Sequence, residues 1–549
     1  MTEQIISTII ARLAPNGFIE RAIAEATYQP RTLPTGAQVM RTCPSPTGFV
    51  HIGTIYTAML NDYFAHQSGG TAILRIEDTD KKREVPGATD AIQAAMQAFA
   101  IMIDESPLQG GAYGPYLQSE RAKIYLGYAI DLLRAGRAYP CFATAEELEA
   151  AVKEQQAAKL RPGYYGKWAL WRDQSAADIQ AALDADLPFV LRFKSEGSHA
   201  ARVQFTDLLK GAMELPQNDL DVPLIKSGDV RLPTYHLAHV VDDHLMRASI
   251  ILRGDEWLPS TPLHIEIAQA LGITPFTYAH IAPISILDQN GGGKRKLSKR
   301  KDPQADVQFW LQAGYPVDGV KAYLLGLANS SFEDWRREHP AAPLQTFPLT
   351  MEKLAQSRAP LLDMRKLEDL CKDALAALPQ DSFNANLLAW AQVHQPDFYA
   401  ILTNDPGYTE QVLAVERSGD QQRKDIAKWS DAAYHYGFFF DELFDTSDIA
   451  ELLRDIPMAA QVALCEAFLQ VYDPQLSREA WFASLQAVAT KLGYATDMKQ
   501  YKADPTAYTG SIADAARIIR AKLTGRNRTP DLWEIMRILG TARVEKRLR

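Results

Sequence analysis

Two stretches of the sequence contain residue types suited to holding a phosphate chain. RTCPSPTGFVHIGT, at 41–54, places His51 directly before an apolar helical pattern. A helix N-terminus offers unpaired N–H groups to an anion, and Gly53 removes a side chain there. QNGGGKRKLSKRKD, at 289–302, follows three glycines with six basic residues. Cations on such a loop stabilise charge on a departing pyrophosphate, so together the two stretches favour a triphosphate site.

Each stretch also has a purely structural interpretation. His51 and Gly53 are compatible with a buried histidine and a packing glycine, and the basic stretch with a solvated loop. The chain has no G-x-x-x-x-G-K-[ST] motif and no G-x-G-x-x-G after the first predicted strand. A nucleotide would therefore be held by another device.

Two further stretches carry acids and an arginine at predicted strand ends, where open α/β sheets place their ligands. In AILRIEDTD, Glu77, Asp78 and Asp80 could receive an ammonium group, coordinate magnesium, or form an acidic surface turn. In PTYHLAHVVDDHLMRASIILRGDEW, Arg253 ends a strand and suits bidentate capture of a carboxylate.

Three histidines in the last stretch raise the question of a metal site. His236, His239 and His244 lack a ligand spacing typical of zinc. Tyrosine, histidine and aspartate side chains around an anionic organic substrate explain them equally well. We predict no metal site.

The surrounding pattern predicts the elements that position these residues. A strand from about Gln38, a helix TIYTAMLNDYFAHQSG and a strand TAILRIED form a βαβ unit. A mixed α+β stretch follows over about 122–225, and the βα pattern resumes through SIILRG. Helical periodicity dominates after about Asp302. We therefore predict a doubly wound α/β body, Rossmann-like and with an α+β insertion, followed by an all-α half.

Composition narrows the function classes. The 549 residues are 47% hydrophobic and 23% charged, which suits three or four globular domains. The net charge of −9 does not indicate a polyanionic partner, but 517–549 contains ten basic and three acidic residues. That segment predicts either a local phosphate-binding surface or a solvated helix pair.

Cysteine usage and hydropathy address the compartment. The four cysteines have no C-x-x-C spacing, which predicts a reducing compartment without a disulfide framework or a cysteine zinc site. No apolar run approaches 18 residues, so we expect no membrane span. IISTIIARLAP, near the start, is expected to be an amphipathic helix and not a secretory signal.

Seven segments of the chain, in order, resemble the class I aminoacyl-tRNA synthetases, and more narrowly the glutamyl-tRNA synthetases of the bacterial type. HIGT looks like the class signature His-Ile-Gly-His, and KLSKR looks like Lys-Met-Ser-Lys-Ser. PSPTG, RIEDTD, GPYLQSER, PTYHLAHVVDDHLM and RGDEWL resemble segments of the glutamyl branch. The clear match spans about 40–325, and KLTGRNRTPDLWEIMRILGTARVEKRLR resembles the end of the family's anticodon-binding domain.

The resemblance implies ATP-dependent ligation of L-glutamate to tRNA(Glu) through a glutamyl adenylate, with release of AMP and pyrophosphate. ATP with Mg²⁺, no protein-bound zinc, a cytoplasmic location and a monomer are expected with it. The implied segments are an N-terminal extension (1–37), two Rossmann-like catalytic halves (38–121 and 226–285), an inserted acceptor-stem-binding domain (122–225), a stem-contact domain with the KLSKR loop (286–365) and an all-α anticodon-binding domain (366–549).

The resemblance also assigns site residues. His51, Lys296 and Lys299 would be catalytic, and no residue would bind a metal. The glutamate-binding residues would be Arg41, Cys43, Ser45, Glu77, Tyr235, His239 and Arg253. The ATP-binding residues would be His51, Gly53, Glu256, Leu287, Lys296, Leu297, Ser298, Lys299 and Arg300.

Some positions depart from the family pattern. Thr54 replaces the second histidine of the signature, His239 stands where asparagine is usual, and Cys43 replaces a small residue. About 40 residues precede the first strand, and the segment near 362–376 lacks the usual Trp and Asn after KL. These departures leave the roles of His239, Cys43 and the anticodon contacts open.

The sequence is compatible with three functions, of which glutamylation of tRNA(Glu) alone is favoured. EDTD at 77–80, where glutaminyl enzymes usually carry Asp-Asp-Thr-Asn, favours glutamate. An enzyme that also glutamylates tRNA(Gln) is the nearest alternative. A catalytically silent tRNA-binding paralogue is disfavoured, because His51, Glu77, Arg253 and Lys299 are all retained.

Overall fold

The computed structural model describes residues 1–288, 291–298, 300–357, 359–417 and 423–549. They divide into two compact units. The first comprises Met1–Phe309 and Leu324–Asp363, and the second comprises Trp310–Tyr323 and Met364–Arg549. The six functional segments proposed from the sequence stay a prediction.

The first unit alternates helices and strands over most of its length. Its elements up to the cationic hairpin are α1 (Glu3–Leu13), α2 (Arg21–Thr27), β1 (Val39–Thr42), α3 (Ile52–Gln67), β2 (Thr71–Leu74), α4 (Ala88–Ala98), α5 (Ala122–Arg134), β3 (Ala138–Cys141), α6 (Ala145–Ala157), α7 (Ala176–Asp184), β4 (Val190–Phe193), β5 (Arg202–Asp207), β6 (Gly211–Pro216), β7 (Pro223–Ile225), α8 (Tyr235–Leu245), β8 (Ile250–Gly254), α9 (Thr261–Ala270), β9 (Thr277–Ile281), β10 (Ser285–Leu287) and β11 (Lys294–Lys296).

The rest of the chain is mainly helical. Its elements are α10 (Val307–Ala313), α11 (Val317–Ala328), α12 (Ser331–Glu338), α13 (Met351–Ala355), α14 (Met364–Ala376), α15 (Gln380–His394), α16 (Pro396–Asn404), α17 (Pro406–Leu413), α18 (Ala432–Tyr436), α19 (Ile449–Leu452), α20 (Met458–Leu469), α21 (Arg478–Lys491), β12 (Tyr494–Ala495), α22 (Met498–Ala503), β13 (Gly510–Ser511), α23 (Ile512–Thr524) and α24 (Leu532–Leu548).

The predicted βαβ unit is present. β1 and β2 are parallel, with Arg41 opposite Ile73, and α3 connects them. All residues of both strands are buried, as expected when helices cover both faces of a parallel sheet. Gly69, with a φ of 71°, ends the turn after α3 at the predicted position.

The second half of the α/β body forms a mixed sheet. β8 and β9 are parallel, with Arg253 opposite His280, and the strand order is β6-β5-β9-β8. β5 runs parallel to β9, while β6 is antiparallel to β5. The inserted stretch thus supplies a hairpin that adds an antiparallel edge to the predicted parallel sheet.

The inserted stretch shares one apolar core with α8 and α9, and the N-terminal helix contributes to it. β3, β4 and β7 form an antiparallel sheet. Ile5, Ile9 and Leu13 on α1 are buried in the same apolar cluster as residues of α5 and α7. The amphipathic helix predicted near the start of the chain is therefore confirmed.

The second unit is helical, as predicted. Its core includes Phe383, Trp429, Tyr436 and Phe439. Among its described residues, the strands are limited to the two-residue pair β12 and β13. No helix in the described ranges is long and apolar enough to cross a membrane.

Candidate active site

A cleft at the carboxyl ends of β1, β8 and β9 gathers most of the predicted site residues. Its volume is about 460 Å³. The strands end at one edge of the α/β body, where ligands of open α/β sheets bind. The predicted residues that line it are Arg41, Cys43, Ser45, His51, Gly53, Glu77, Tyr235, Arg253, Glu256, Lys296 and Leu297.

His51 and Gly53 form one wall at the start of α3. His51 is the N-cap, and its Nδ1 accepts a hydrogen bond from the Gly53 N–H at 2.9 Å. A Cβ on Gly53 would lie only 2.9 Å from that nitrogen, so the close approach requires glycine. Because Nδ1 accepts, a neutral ring carries its proton on Nε2 and can donate it to a phosphoryl oxygen.

Lys294–Lys296 of the basic stretch forms one strand of a hairpin beside the cleft. β10 and β11 pair antiparallel, with Ser285 opposite Lys296. Arg295 binds both oxygens of Asp302, at 2.6 and 2.7 Å, and therefore serves the hairpin's own structure. Lys296 faces the cleft, with its Nζ 3.1 Å from Glu256 Oε1.

A buried ion network supports one side of the cleft. The Asp243 carboxylate accepts from Arg41 Nε at 3.1 Å and from Arg75 Nη1 at 2.6 Å. Burial opposes ionisation of Asp243, but Arg41 and Arg75 hold its pKa well below the ordinary range. Arg75 Nη2 also donates to Glu77 Oε1 at 3.2 Å. Arg41 thus carries a charge that a contacting carboxylate already compensates.

Glu77 and Cys43 lie beside this network, and the pKa of each is strongly shifted. Burial raises the pKa of Glu77 to about 7, although Arg75 and Arg41 oppose the shift. Burial also raises the pKa of Cys43 to about 12, so its thiol stays neutral. Glu77 can therefore change charge near neutral pH, whereas Cys43 cannot act as a thiolate there.

Arg253 has a different environment from Arg41. It is 5% exposed, and it forms no ion pair among the described residues. Its partners are neutral acceptors, including His264 Nδ1 at 3.2 Å and Tyr235 Oη at 3.3 Å. A buried cation without a contacting carboxylate is costly unless an anion binds it. The cleft therefore favours an anionic substrate at Arg253.

The histidines near Arg253 add no charge at neutral pH. Burial lowers the pKa of His236 to about 4 and that of His239 to about 3. Burial likewise holds the pKa of His264 well below its ordinary value. Neutral rings can accept hydrogen bonds from the guanidinium without repelling it.

Comparison with known proteins identifies the family. Residues 38–331 match the family described as tRNA synthetases class I (E and Q), catalytic domain. The glutamate–tRNA ligase of Sorangium cellulosum (strain So ce56) is 41% identical over 95% of this chain and 96% of that protein. The glutamate–tRNA ligase of Clostridium perfringens (strain 13 / Type A) is 42% identical over 95% of this chain and 96% of that protein.

The chain belongs to the glutamate–tRNA ligase family. A crystal structure of a glutamate tRNA ligase from Elizabethkingia meningosepticum CCUG26117 in complex with its amino acid has the same fold, with a TM-score of 0.70. The superposition covers 93% of this chain and 98% of that one, at 24% identity. The family resemblance inferred from HIGT, KLSKR and the segments between them is confirmed.

Some residues carried over from the glutamate–tRNA ligase pattern lie away from the cleft lining. Leu287 is 55% exposed, because β10 turns its side chain outwards. Ser298 N donates to Asp302 within the hairpin, and Arg300 is exposed. His239 is fully buried, and its Nε2 lies 3.5 Å from Arg253 Nη1. Lys299 lies outside the described residues.

Several buried residues that hold Arg41 and Arg253 had no role predicted from the sequence. Arg75 and Asp243 are fully buried and form the ion network, and His264 and His280 contact Arg253. Asp243 lies four positions after His239 on α8, so the two side chains share one face of that helix. This spacing could have placed Asp243 at the site from the sequence. Arg75 stood inside the quoted RIEDTD without an assigned role.

The remaining acids and histidines have structural partners. Asp78 accepts from Lys81 at 2.8 Å and from the backbone of Ser119, and Asp80 pairs with Arg83. Glu77 lines the cleft, whereas Asp78 and Asp80 do not, and a ligand role for these two carboxylates stays a prediction. His244 pairs with Glu25 on α2, apart from the other two histidines of its stretch. In the described part of the chain, no group of three or more His, Cys, Asp or Glu side chains is arranged to hold a metal ion.

The basic C-terminal segment is partly neutralised within the second unit. Arg547 pairs with Asp441 at 2.7 Å and donates to the carbonyls of Phe438 and Leu523. Arg517 pairs with Asp455 at 2.6 Å. The charge counted along 517–549 therefore overstates the cationic surface that a phosphate backbone could meet.

Proposed function

We propose that this chain activates L-glutamate with ATP and transfers the glutamyl group to tRNA(Glu). The observation that most strongly supports this proposal is that one cleft is lined by Arg253, whose charge no carboxylate among the described residues neutralises, and by His51 and Lys296. An acidic side chain suits the first group, and a triphosphate suits the other two. Membership of the glutamate–tRNA ligase family supplies the same reaction.

In the proposed mechanism, the substrate α-carboxylate attacks the α-phosphorus of ATP, and pyrophosphate leaves. Arg253, with Arg41 beside it, binds the γ-carboxylate, while Glu77 receives the α-ammonium group. Ser45 and Tyr235 complete the amino-acid pocket. His51 and Lys296 stabilise the phosphate charge as it develops. The adenylate then passes its glutamyl group to the 3′-terminal adenosine of the tRNA.

The role of Lys299 in this mechanism is proposed from the KLSKR pattern alone. Lys299 follows Lys296 by three positions in the sequence, and in the family pattern it would add a second cation. We assign it to the departing pyrophosphate. Glu256 and Gly53, which both line the cleft, are proposed to contact ATP.

Magnesium is proposed to enter with ATP. Mg²⁺ commonly binds through substrate phosphates, waters and one or two carboxylates. Glu256 and Glu77 are the proposed site residues with carboxylates in the cleft lining. Among the described residues, neither belongs to a group of three or more side chains arranged to hold a metal ion. Bound magnesium would neutralise phosphate charge, while His51 and Lys296 would orient the triphosphate. We also propose that the protein binds no zinc and acts as a cytoplasmic monomer.

Glutamate is favoured over glutamine by charge. The amide of glutamine would leave Arg253 buried without an anion, at a cost of about 1–3 kcal/mol. Arg41 discriminates less in this account, because Asp243 already compensates its charge.

The proposal is tested by glutamate-dependent ATP–pyrophosphate exchange, with and without tRNA(Glu). Exchange is expected with glutamate and not with glutamine at equal concentration. No exchange in either condition by folded protein would overturn the enzyme assignment.

A second function is an enzyme that also glutamylates tRNA(Gln). The stretch near 362–376 lacks the family's usual Trp and Asn after KL, so the resemblance assigns no anticodon contacts there that would select one tRNA over the other. Charging each isolated tRNA separates the two, since equal glutamylation of both would replace the strict assignment by the relaxed one.

A further inference from the structure

Hydrogen-bond directions around Arg253 follow from chemistry alone. A guanidinium only donates, so every ring nitrogen that it contacts must accept. Arg253 Nε donates to His280 Nε2 at 3.0 Å, and Nη1 donates to His264 Nδ1 at 3.2 Å. Nη2 donates to Thr261 Oγ1 at 3.0 Å. Three buried neutral groups thus hold the three nitrogens of one guanidinium.

Those directions fix the tautomers of both histidines. Because His280 Nε2 accepts, its proton is on Nδ1, which donates to Asp207 Oδ2 at 2.6 Å. Because His264 Nδ1 accepts, its proton is on Nε2, which donates to His236 Nδ1 at 3.1 Å. Each imidazole is therefore held from its far side while it presents a lone pair to Arg253.

Asp207 is a fixed anchor at the end of β5. Burial opposes its ionisation, but the hydrogen bonds from His280 and the backbone of Leu209 lower its pKa. The backbone N–H groups of Leu209 and Lys210 donate to it at 2.9 and 3.0 Å. Its negative charge thus reaches Arg253 only through an imidazole ring.

Arg41 and Arg253 differ in whether a carboxylate contacts the guanidinium directly or through an imidazole ring. Arg41 contacts the Asp243 carboxylate directly at 3.1 Å, so its charge is compensated before any substrate binds. A contacting carboxylate at Arg253 would compete with the carboxylate of the substrate. A neutral spacer orients the guanidinium equally well and leaves its charge for the ligand.

We propose that the neutral acceptors around Arg253 are positioning residues that determine specificity for an acidic side chain. They are His264, His280 and Thr261, with Asp207 anchoring His280. This inference rests on the proposed function. It assigns to these residues the task of orienting Arg253 without neutralising it.

An isosteric pair tests the charge directly. In His264→Asn, the amide oxygen can replace Nδ1 as a neutral acceptor, whereas His264→Asp places a carboxylate against Nη1. In tRNA-supported exchange, we expect the KM for glutamate to be at least about tenfold higher in His264→Asp than in His264→Asn. The KM for ATP should agree within about twofold, because the phosphate groups are unaffected.

A second pair keeps the test valid if an aspartate at 264 prevents folding. Thr261→Asn and Thr261→Asp repeat the comparison at Nη2. His280→Gln keeps an acceptor near Nε but breaks the link to Asp207, so it should raise the glutamate KM and spare the ATP KM. His199→Gln, an exposed histidine away from the cleft, is the matched control.

The outcomes separate the inference from the function beneath it. Equal glutamate KM values within the folded Asn and Asp pairs, with active wild-type protein, would overturn this inference alone. Parallel increases in both KM values would also overturn it, since they indicate a structural role only. No exchange by folded wild-type protein would overturn the proposed function and this inference with it.

Discussion

Lys296 Nζ lies 3.1 Å from Glu256 Oε1, so an ion pair joins the cationic hairpin to the end of β8 within the candidate ATP site. Both side chains are about half exposed, at 54% and 49%. Such a pair contributes about 0–1 kcal/mol to stability, so it can be exchanged for a stronger phosphate contact. Lys296 is therefore held near the place where it is needed.

Replacing Lys296 by methionine should slow catalysis without unfolding the protein. We expect kcat for exchange to fall by about tenfold or more, because a cationic side chain that stabilises phosphate charge is lost. The free energy of unfolding should change by less than about 1 kcal/mol, because the pair is exposed. Kinetics and urea unfolding measure the two quantities. Lys301→Met, an exposed lysine of the same basic stretch, is the control, and equal losses in both variants would contradict a specific role.

Arg253→Ala should mainly weaken glutamate binding. Loss of a charge-assisted contact of about 3 kcal/mol corresponds to an increase of about a hundredfold in the KM for glutamate. The KM for ATP should stay nearly constant. Arg83→Ala removes an exposed arginine that pairs with Asp80 and should leave both constants unchanged. A variant of Arg253 with normal glutamate KM and reduced kcat would reassign the residue.

Glutamate binding should strengthen as pH rises through about 7. Burial raises the pKa of Glu77 to about 7, so below that pH the carboxyl is mostly neutral and cannot pair with the ammonium group. Between pH 6 and 8 the ionised fraction rises about tenfold, and the KM for glutamate should fall correspondingly. His236 and His239 stay neutral over this range, because their pKa values are about 4 and 3.

The Glu77→Gln variant is the control for that profile. Its glutamate KM should be high and independent of pH between 6 and 8. A profile that persists in the variant would assign the titration to another group.

Gly53→Ala should impair catalysis through His51. The new Cβ would lie 2.9 Å from His51 Nδ1, so the ring must leave its capping position. A displaced donor should lower kcat by about tenfold or more. Gly326→Ala, within α11 and with open space around the new Cβ, is the matched control and should retain normal kcat. Normal exchange by Gly53→Ala would show that the position of the imidazole is unimportant.

The sequence predicted those features that depend on local chemistry. His51 caps α3 as the turn before an apolar helix indicated, and Arg253 ends a buried strand where a ligand arginine was expected. Glu77 lines the cleft, although Asp78 and Asp80 beside it do not. Neighbouring residues with similar chemistry point in different directions, so the motif identified the site but not every member.

Features that depend on distant partners were beyond the sequence. Asp243 meets Arg41 across 202 positions of chain, and the β5–β6 hairpin joins the sheet from within the insertion. Leu287, assigned to ATP from the family resemblance, is 55% exposed on β10, and its role stays a prediction. Arg547 was counted as surface charge and is instead buried against Asp441.

Attachment of labelled L-glutamate to tRNA(Glu) tests the central claim most directly. Folded wild-type protein is predicted to form glutamyl-tRNA only when ATP, Mg²⁺ and intact 3′-terminal adenosine are present, and Arg253→Ala is predicted to need far more glutamate. No labelled tRNA from folded protein at saturating glutamate and ATP would contradict the account.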